Sequence, residues 1–454
     1  MNALKDYIDL YRENRELLET QSPETLNAMR PKALEVLESK RLPEKGDPGY
    51  EHISIEDMFA PDRGVNINRV AIPADTSSAF RCGLPNVTPL LAYVINDTFV
   101  PTRELDRRLP EGLLFCSIKE AALKHPQILS RYYGTIAGLT DTTTALNTLL
   151  AQDGVMIYVP EGMTVDRPLQ ILNLFNALTP LLAVRRILIV VAPGAKVKII
   201  SCDHTLPEAG NILSSLVTEI YVAENATLDF CEMEETSART SRCAGIYVSQ
   251  HSDSDVNISS VTLLCGTTRN DFDIAVDGSG CRTRLSGMAI GSADSVTDNS
   301  SRVRHLKPRS ESTQLFKYVL DDRSVGSFEG NILVTPQAPF TQAYQSNRNI
   351  IASQQAKMYT RPQLEIYNDD VKCSHGATTG QLDNEALFYM RTRGIPEHEA
   401  RVMLMQAFMA DVIESVRIDG LRERLRMLVE NRFAGTTMAC GDCHTACNKM
   451  EDGK

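Results

Sequence analysis

The sequence predicts a mainly β protein, a parallel β-helix core flanked by N-terminal and C-terminal helical regions. Three observations predict it. First, short β-branched runs begin at Val155 and recur far down the chain, each punctuated by Gly, Asn or Pro. Second, Val159-Pro-Glu-Gly-Met-Thr-Val, Val191-Ala-Pro-Gly-Ala-Lys-Val and Val222-Ala-Glu-Asn-Ala-Thr-Leu are near copies spaced 32 and 31 residues apart. Weaker units follow near Asp255, Gly280 and Ser324. A fixed period in this range marks a stack of similar units. Third, the units carry tight-turn residues, no helical pattern between them and few aromatics (6% of the chain). That combination fits stacked strands rather than a helical solenoid. A two-sheet sandwich is the alternative, but the clean alternation and Asn-Gly hairpins it would show are scarce.

Residues 1–150 read as mainly helical. Leu4, Ile8, Tyr11 and Leu18 keep to one helical face. Ser22-Pro23 has the form of a helix start, Ser as the cap and Pro at the first helical position. Pro43, Gly46, Pro48 and Gly49 break the pattern, and a helical stretch returns over Thr143 to Ala151. The β-helix core is expected over 151–375. In it, Gln342-Ala-Tyr-Gln-Ser-Asn-Arg-Asn suits a strand stack, because amide side chains on successive coils can bond in ladders.

A helical domain is expected over 376–435. Asp383 caps its first helix, Gly394 stops it and Pro396 opens the second. There Val402, Met405, Met409, Val412 and Val416 form a 3-4 apolar seam. This seam has two readings: ordinary core, or a partner-docking groove of Met405, Met409, Val412 and Val416, since Met surfaces adapt to what they bind. Leu421, Leu425 and Leu428 mark a third helix, with Arg422, Arg424 and Arg426 as a solvated face. A Cys-rich tail fills 436–454.

The net charge of -11 argues against nucleic acid as a partner. The most apolar run, Ile187 to Ala192, is too short to span a bilayer, and no signal pattern opens the chain. A cytoplasmic protein is expected. Eleven cysteines, an odd number at irregular spacing, argue against a disulfide framework. Cys82, Cys116, Cys202, Cys231, Cys243, Cys265 and Cys281 read as small buried residues.

The most informative pair is Cys373 and His375, in Leu364-Glu-Ile-Tyr-Asn-Asp-Asp-Val-Lys-Cys-Ser-His-Gly-Ala-Thr. If Ile366 to His375 is extended, residues i and i+2 share a face, and thiol and imidazole point the same way. Both ligate zinc, iron or iron–sulfur clusters. Two ligands are half a site, and the other half must come from elsewhere in the chain or from another chain. A structural role, with Cys373 buried and His375 bonded to a carbonyl, is the alternative.

Three segments resemble the SufD branch of the SufB/SufD family, scaffolds of SUF iron–sulfur cluster assembly: Gln314-Leu-Phe-Lys-Tyr-Val-Leu-Asp-Asp-Arg-Ser-Val-Gly-Ser-Phe-Glu-Gly, Gln342 to Asn349, and Leu364 to Thr378 followed by Leu387-Phe-Tyr-Met-Arg-Thr-Arg-Gly. The resemblance implies that the β-helix is right-handed. It implies pairing with a SufB-like paralogue through the β-helix ends and docking of a SufC-like ATPase on the C-terminal helices. It also implies that Cys373 and His375 face that subunit interface, where a transient iron–sulfur cluster is shared with the partner. A non-catalytic scaffold follows, in keeping with the absence of a Gly-x4-Gly-Lys-Ser/Thr loop for ATP. A homodimer in isolation is left open.

The tail departs from the resemblance. Cys440, Cys443 and Cys447, with His444 among them, have the spacing of a zinc or cluster site. An autonomous iron–sulfur or zinc carrier using these residues is therefore a rival reading. A β-helix enzyme acting on polysaccharides is a further one.

Overall fold

The computed structural model describes residues 3–72, 87–139 and 141–435. Its centre is a β-solenoid of about eight turns. The described strands form two 10-stranded sheets, and each turn contributes one strand to each. Along the solenoid the pairing is parallel, in near-continuous register from Val155–Val159 to Lys357–Ile366 in one sheet and from Leu169–Phe175 to Lys372–Gly380 in the other. The sandwich alternative is excluded, since its sheets would be antiparallel.

The sequence repeats coincide with the register. Val159 pairs with Val191 and Val191 with Val222, so each copy closes one turn. Three residues on, Gly162, Gly194 and Asn225 have φ of 69°, 67° and 58°. The corner demands left-handed backbone, which Gly and Asn adopt most readily. Asp253, Arg309 and Phe340 continue the column. Their amides bond along the stack: Gly162 N to Pro193 O, Asn225 N to Ser252 O, Arg309 N to Pro339 O.

Side chains alternate between the lumen and the outer faces. The lumen holds Ile189, Ile199, Ile220, Phe230, Phe272, Phe316 and Phe328. It also holds a charged cluster. Arg185 forks onto both Asp203 oxygens at 2.9 and 2.6 Å, and Arg242 reaches Glu232 at 2.6 Å. Arg186, one residue on, points outward to Glu219, which also accepts the amides of Gly134, Ile136 and Ala137. These strands are covered on both faces, so a buried charge needs a fixed partner on either side.

N-terminal helices cover one outer face. Ala3–Glu13 buries Leu4, Tyr7, Ile8 and Tyr11 against a cluster that includes Leu182, Val184, Leu213 and Cys243. Leu18 belongs to the next helix, Arg15–Thr20. Ser22 does not cap a helix. Its hydroxyl donates to Leu18 O and accepts from Arg30, and Arg30 spends its other guanidinium nitrogen on Leu149 O and its second contact on Ala151 O. The N-terminal region also contains strands. The hairpin Leu90–Ile95 and Thr98–Pro101 joins one sheet, and Leu114–Ser117 joins the other antiparallel to Val155–Val159. These close the solenoid at its N-terminal end.

The C-terminal helices Asn384–Thr392, Glu397–Ser415 and Asp419–Phe433 follow the expected signals. Asp383 Oδ1 accepts the amides of Glu385 and Ala386, and Gly394 takes φ 87°. They pack on the outer face opposite the N-terminal helices. The strand stack runs to Gly380, five residues beyond the expected boundary at 375. Cys116, Cys202, Cys231, Cys243, Cys265 and Cys281 are buried and free. Cys82 lies outside the described residues.

Candidate functional site

Cys373 and His375 stand on Lys372–Gly380, the strand at the outer edge of its sheet. Their neighbours in register are Ala343 and Gln345 on Gln342–Ile351. Ala343, Gln345, Asn347 and Asn349 are all buried and line the lumen. In-register parallel partners share a face, so Cys373, His375, Ala377 and Thr379 form the last inward row. Among the described residues no coil follows, and His375 is exposed and Cys373 only half-buried. The shared face is as the spacing predicts. The extended stretch is shorter, because Tyr367 to Val371 form a turn between strands. Asn368 makes that turn, accepting the Asp370 amide and donating to Pro336 O, a local competition typical of Asn.

Cys373 packs against a small cluster of Ile332, Val334, Ala338 and Ala343, with Leu364 and Val371 beside it. Burial pushes its thiol up, opposed by the Ala343 backbone. It becomes a good ligand only when a metal or cation draws the proton off. His375 makes no hydrogen bond to the described residues. Among these residues no group of three His, Cys, Asp or Glu could hold a metal ion.

The backbone at this edge is also unfinished. Lys372 N donates to Thr341 O. In a parallel ladder amides alternate in direction, so those of Cys373, His375, Ala377 and Thr379 face away from the chain. Such an edge is a template for another strand. Large apolar side chains are exposed nearby: Tyr344, Tyr359, Ile366 and Tyr367 on the last coils, Phe388 and Tyr389 on the next helix.

The other candidate residues are placed differently. Met405, Met409, Val412 and Val416 are buried against Ile200, Cys231, Met233, Val261, Met288 and Val319 of the chain's own sheet. The docking-groove reading of these four is corrected: the apolar seam is spent on the seat of the helix. Cys440, Cys443, His444 and Cys447 lie outside the described residues. One residue in this seam was not singled out from sequence. Lys317 is buried on the outer sheet face, with Nζ 2.7 Å from Phe408 O and 2.6 Å from Asp411 Oδ2. A lone Lys in an apolar strand was the available signal.

The family model of the SUF system FeS cluster assembly SufBD core domain matches residues 175–408, and that of the SufBD N-terminal region matches residues 1–171. The chain belongs to the SufB/SufD family. Relatives agree. An iron–sulfur cluster assembly SufBD family protein of Synechocystis is 28% identical over 88% of this chain and 89% of its own length. The iron–sulfur cluster assembly protein SufD of Escherichia coli is 30% identical over 66% of this chain and 72% of its own. SufD of Bacillus subtilis is 23% identical over 75% and 78%. The SufBD core match takes in the last strand, and with it Cys373 and His375. Among the described residues no helix is long and apolar enough to cross a membrane.

Proposed function

We propose that this SufB/SufD family member is a SufD-like scaffold, with the strand Lys372–Gly380 as its pairing edge and His375 and Cys373 as its half of a cluster-assembly site. The observation that carries this is the coincidence of two vacancies on one strand: a row of outward amides and a two-ligand set without a third. A partner strand added at this edge would satisfy both at once, through main-chain hydrogen bonds and ligands of its own. A SufB-like paralogue is the partner this reading calls for, since the core-domain model that matches this chain is shared by both branches of the family. The iron–sulfur cluster is cargo at the junction and leaves when the junction moves.

A SufC-like ATPase, docking on the C-terminal helices, would meet their exposed side, where Phe388, Tyr389 and Met403 lie. Work done there would reach the edge strand through the short connection from Gly380 to Asn384. The chain itself then needs no catalytic residue.

The test is His375→Ala in a complex co-expressed with the paralogue and the ATPase. The variant chain is expected to fold and to co-purify with both, while cluster-bound iron falls. Wild-type iron content in the variant complex would refute the assignment of His375. Failure of the wild-type chain to bring down a paralogue would refute the pairing.

A further inference from the structure

Behind His375 the lumen contains a short polar column. Ser301 Oγ donates to Gln314 Oε1 at 2.7 Å, and Gln345 Nε2 donates to the same oxygen at 3.3 Å. Gln345 is 4% exposed. Because its amide nitrogen is committed down the column, its carbonyl oxygen is left over, and that oxygen is buried with no hydrogen-bond partner. A buried amide oxygen without a donor is costly. The next inward position up the stack is His375, in register with Gln345, one strand spacing of about 4.8 Å away.

Two features of the fold serve this arrangement. Gly330 faces Gln345 across the lumen, and a Cβ there would come within 2.2 Å of Gln345 Nε2. The glycine therefore leaves the space the amide fills. Asn349 Nδ2 donates to Thr378 O and Thr379 Oγ1 and clamps the far half of the last strand. The backbone that carries His375 is thus held in place.

We propose that Gln345 is the positioning residue of His375: its side-chain carbonyl takes one imidazole N–H and so presents the other ring nitrogen, as a lone pair, to a metal held at the edge. An imidazole ligand is ordinarily fixed by such a bond from its second nitrogen, which sets the tautomer and the ring orientation. The claim rests on the reading of His375 as a ligand, but its first consequence can be read without any metal.

The experiment records long-range proton–nitrogen correlations of the His375 ring in the full-length chain alone, in mildly alkaline buffer, with His375→Ala to assign the signals. In wild type one tautomer is expected. In Gln345→Met the two tautomers should mix as in a free imidazole, and Gln345→Glu, which keeps the acceptor, should restore the single form. Gly330→Ala, which displaces the amide while residue 345 itself is unchanged, should mix the tautomers too. In the assembled complex, Gln345→Met should weaken iron retention about 10- to 100-fold, with Gln345→Glu closer to wild type. A mixed tautomer in wild type, or the same tautomer in wild type and Gln345→Met, overturns the inference. A tautomer that responds to Gln345 while His375→Ala leaves cluster iron unchanged upholds the positioning and sinks the ligand reading instead.

Discussion

Lys317 Nζ lies 2.6 Å from Asp411 Oδ2, across the seam between the outer sheet face and the helix Glu397–Ser415. The lysine side chain is 3% exposed and the aspartate 60%, so the pair is lopsided: one charge is sealed in, the other is wet. The ammonium also sits 4.7 Å from the Phe408 ring centroid. Lys317→Met keeps the apolar stem and removes the buried charge, at a cost of about 1 kcal/mol. Asp411→Ala leaves the ammonium sealed with Phe408 O alone. The loss is then about 2 kcal/mol, less than for a fully buried pair because Asp411 was partly screened. Urea midpoints should rank Asp411→Ala below Lys317→Met, and the reverse order would contradict the burial argument.

Two lumen residues give the stability opposite dependences on pH. Burial pushes Glu234 up to about 7, against Arg242 and the Thr268 and Thr236 hydroxyls, and with the nearby Asp203 adding to the rise. The folded state then binds a proton that the unfolded state has released. Its stabilisation is full below about pH 4.5 and is lost as pH rises to 7. Burial pushes His305 down to about 4, where Nε2 meets Ser312 Oγ at 2.8 Å and Nδ1 has no partner. Its stabilisation is present above about pH 6.5 and is lost as pH falls to 4. Each is worth about 3 kcal/mol across its window. Between pH 4.5 and 6.5 the two slopes largely cancel. Glu234→Gln should unmask a stability that climbs with pH in that window, and His305→Asn one that declines. Parallel slopes in both variants would rule the assignment out.

The fold was legible where the solenoid repeats a constraint. Val159, Val191 and Val222 recur because each closes a turn, and Gly162, Gly194 and Asn225 because each corner needs left-handed backbone. Asp253, Arg309 and Phe340 meet the same need with residues that do not announce it, and there the repeat fades from view. The buried charges were illegible for another reason. Arg185 and Arg186 look like a polar flank to an apolar run, yet both lie within a strand covered on both faces, paired to Asp203 and Glu219 far along the chain. The candidate pair itself was readable from i, i+2 spacing. The Met405 to Val416 seam was not, because a stripe that seats a helix on its own sheet and one that receives a partner have the same period.

Cys373 makes a prediction about reactivity. Its thiol is pushed up by burial yet remains half-accessible, while the six other cysteines among the described residues, Cys116, Cys202, Cys231, Cys243, Cys265 and Cys281, are buried. Iodoacetamide should label Cys373 of the native chain slowly at neutral pH and leave the other six unmodified. The rate should rise with each pH unit through the alkaline range as the thiolate forms. Peptide mapping after timed labelling checks this. Fast labelling at pH 7 would mean that a positive charge already activates the thiol.

The last prediction concerns the edge. By the alternation set by Lys372 N on Thr341 O, the Ala377 amide points away from the chain and contributes nothing to the monomer's ladder. Ala377→Pro deletes that amide and adds a ring on the free side. The residue before it is Gly376, whose Cβ direction is open space, so the restriction that proline places on its predecessor is easily met. The monomer should lose little stability, in line with proline's tolerance on edge strands. Strand addition should fail, because the incoming strand meets a missing donor and a steric block. Light scattering of the isolated chain and co-purification with the paralogue report association directly, and a urea midpoint reports the fold. Serine in place of Ala377 serves as the control, since it keeps the amide. If Ala377→Pro assembles as wild type does, the strand Lys372–Gly380 is not the pairing edge, and the Cys373–His375 pair must find its remaining ligands by another route.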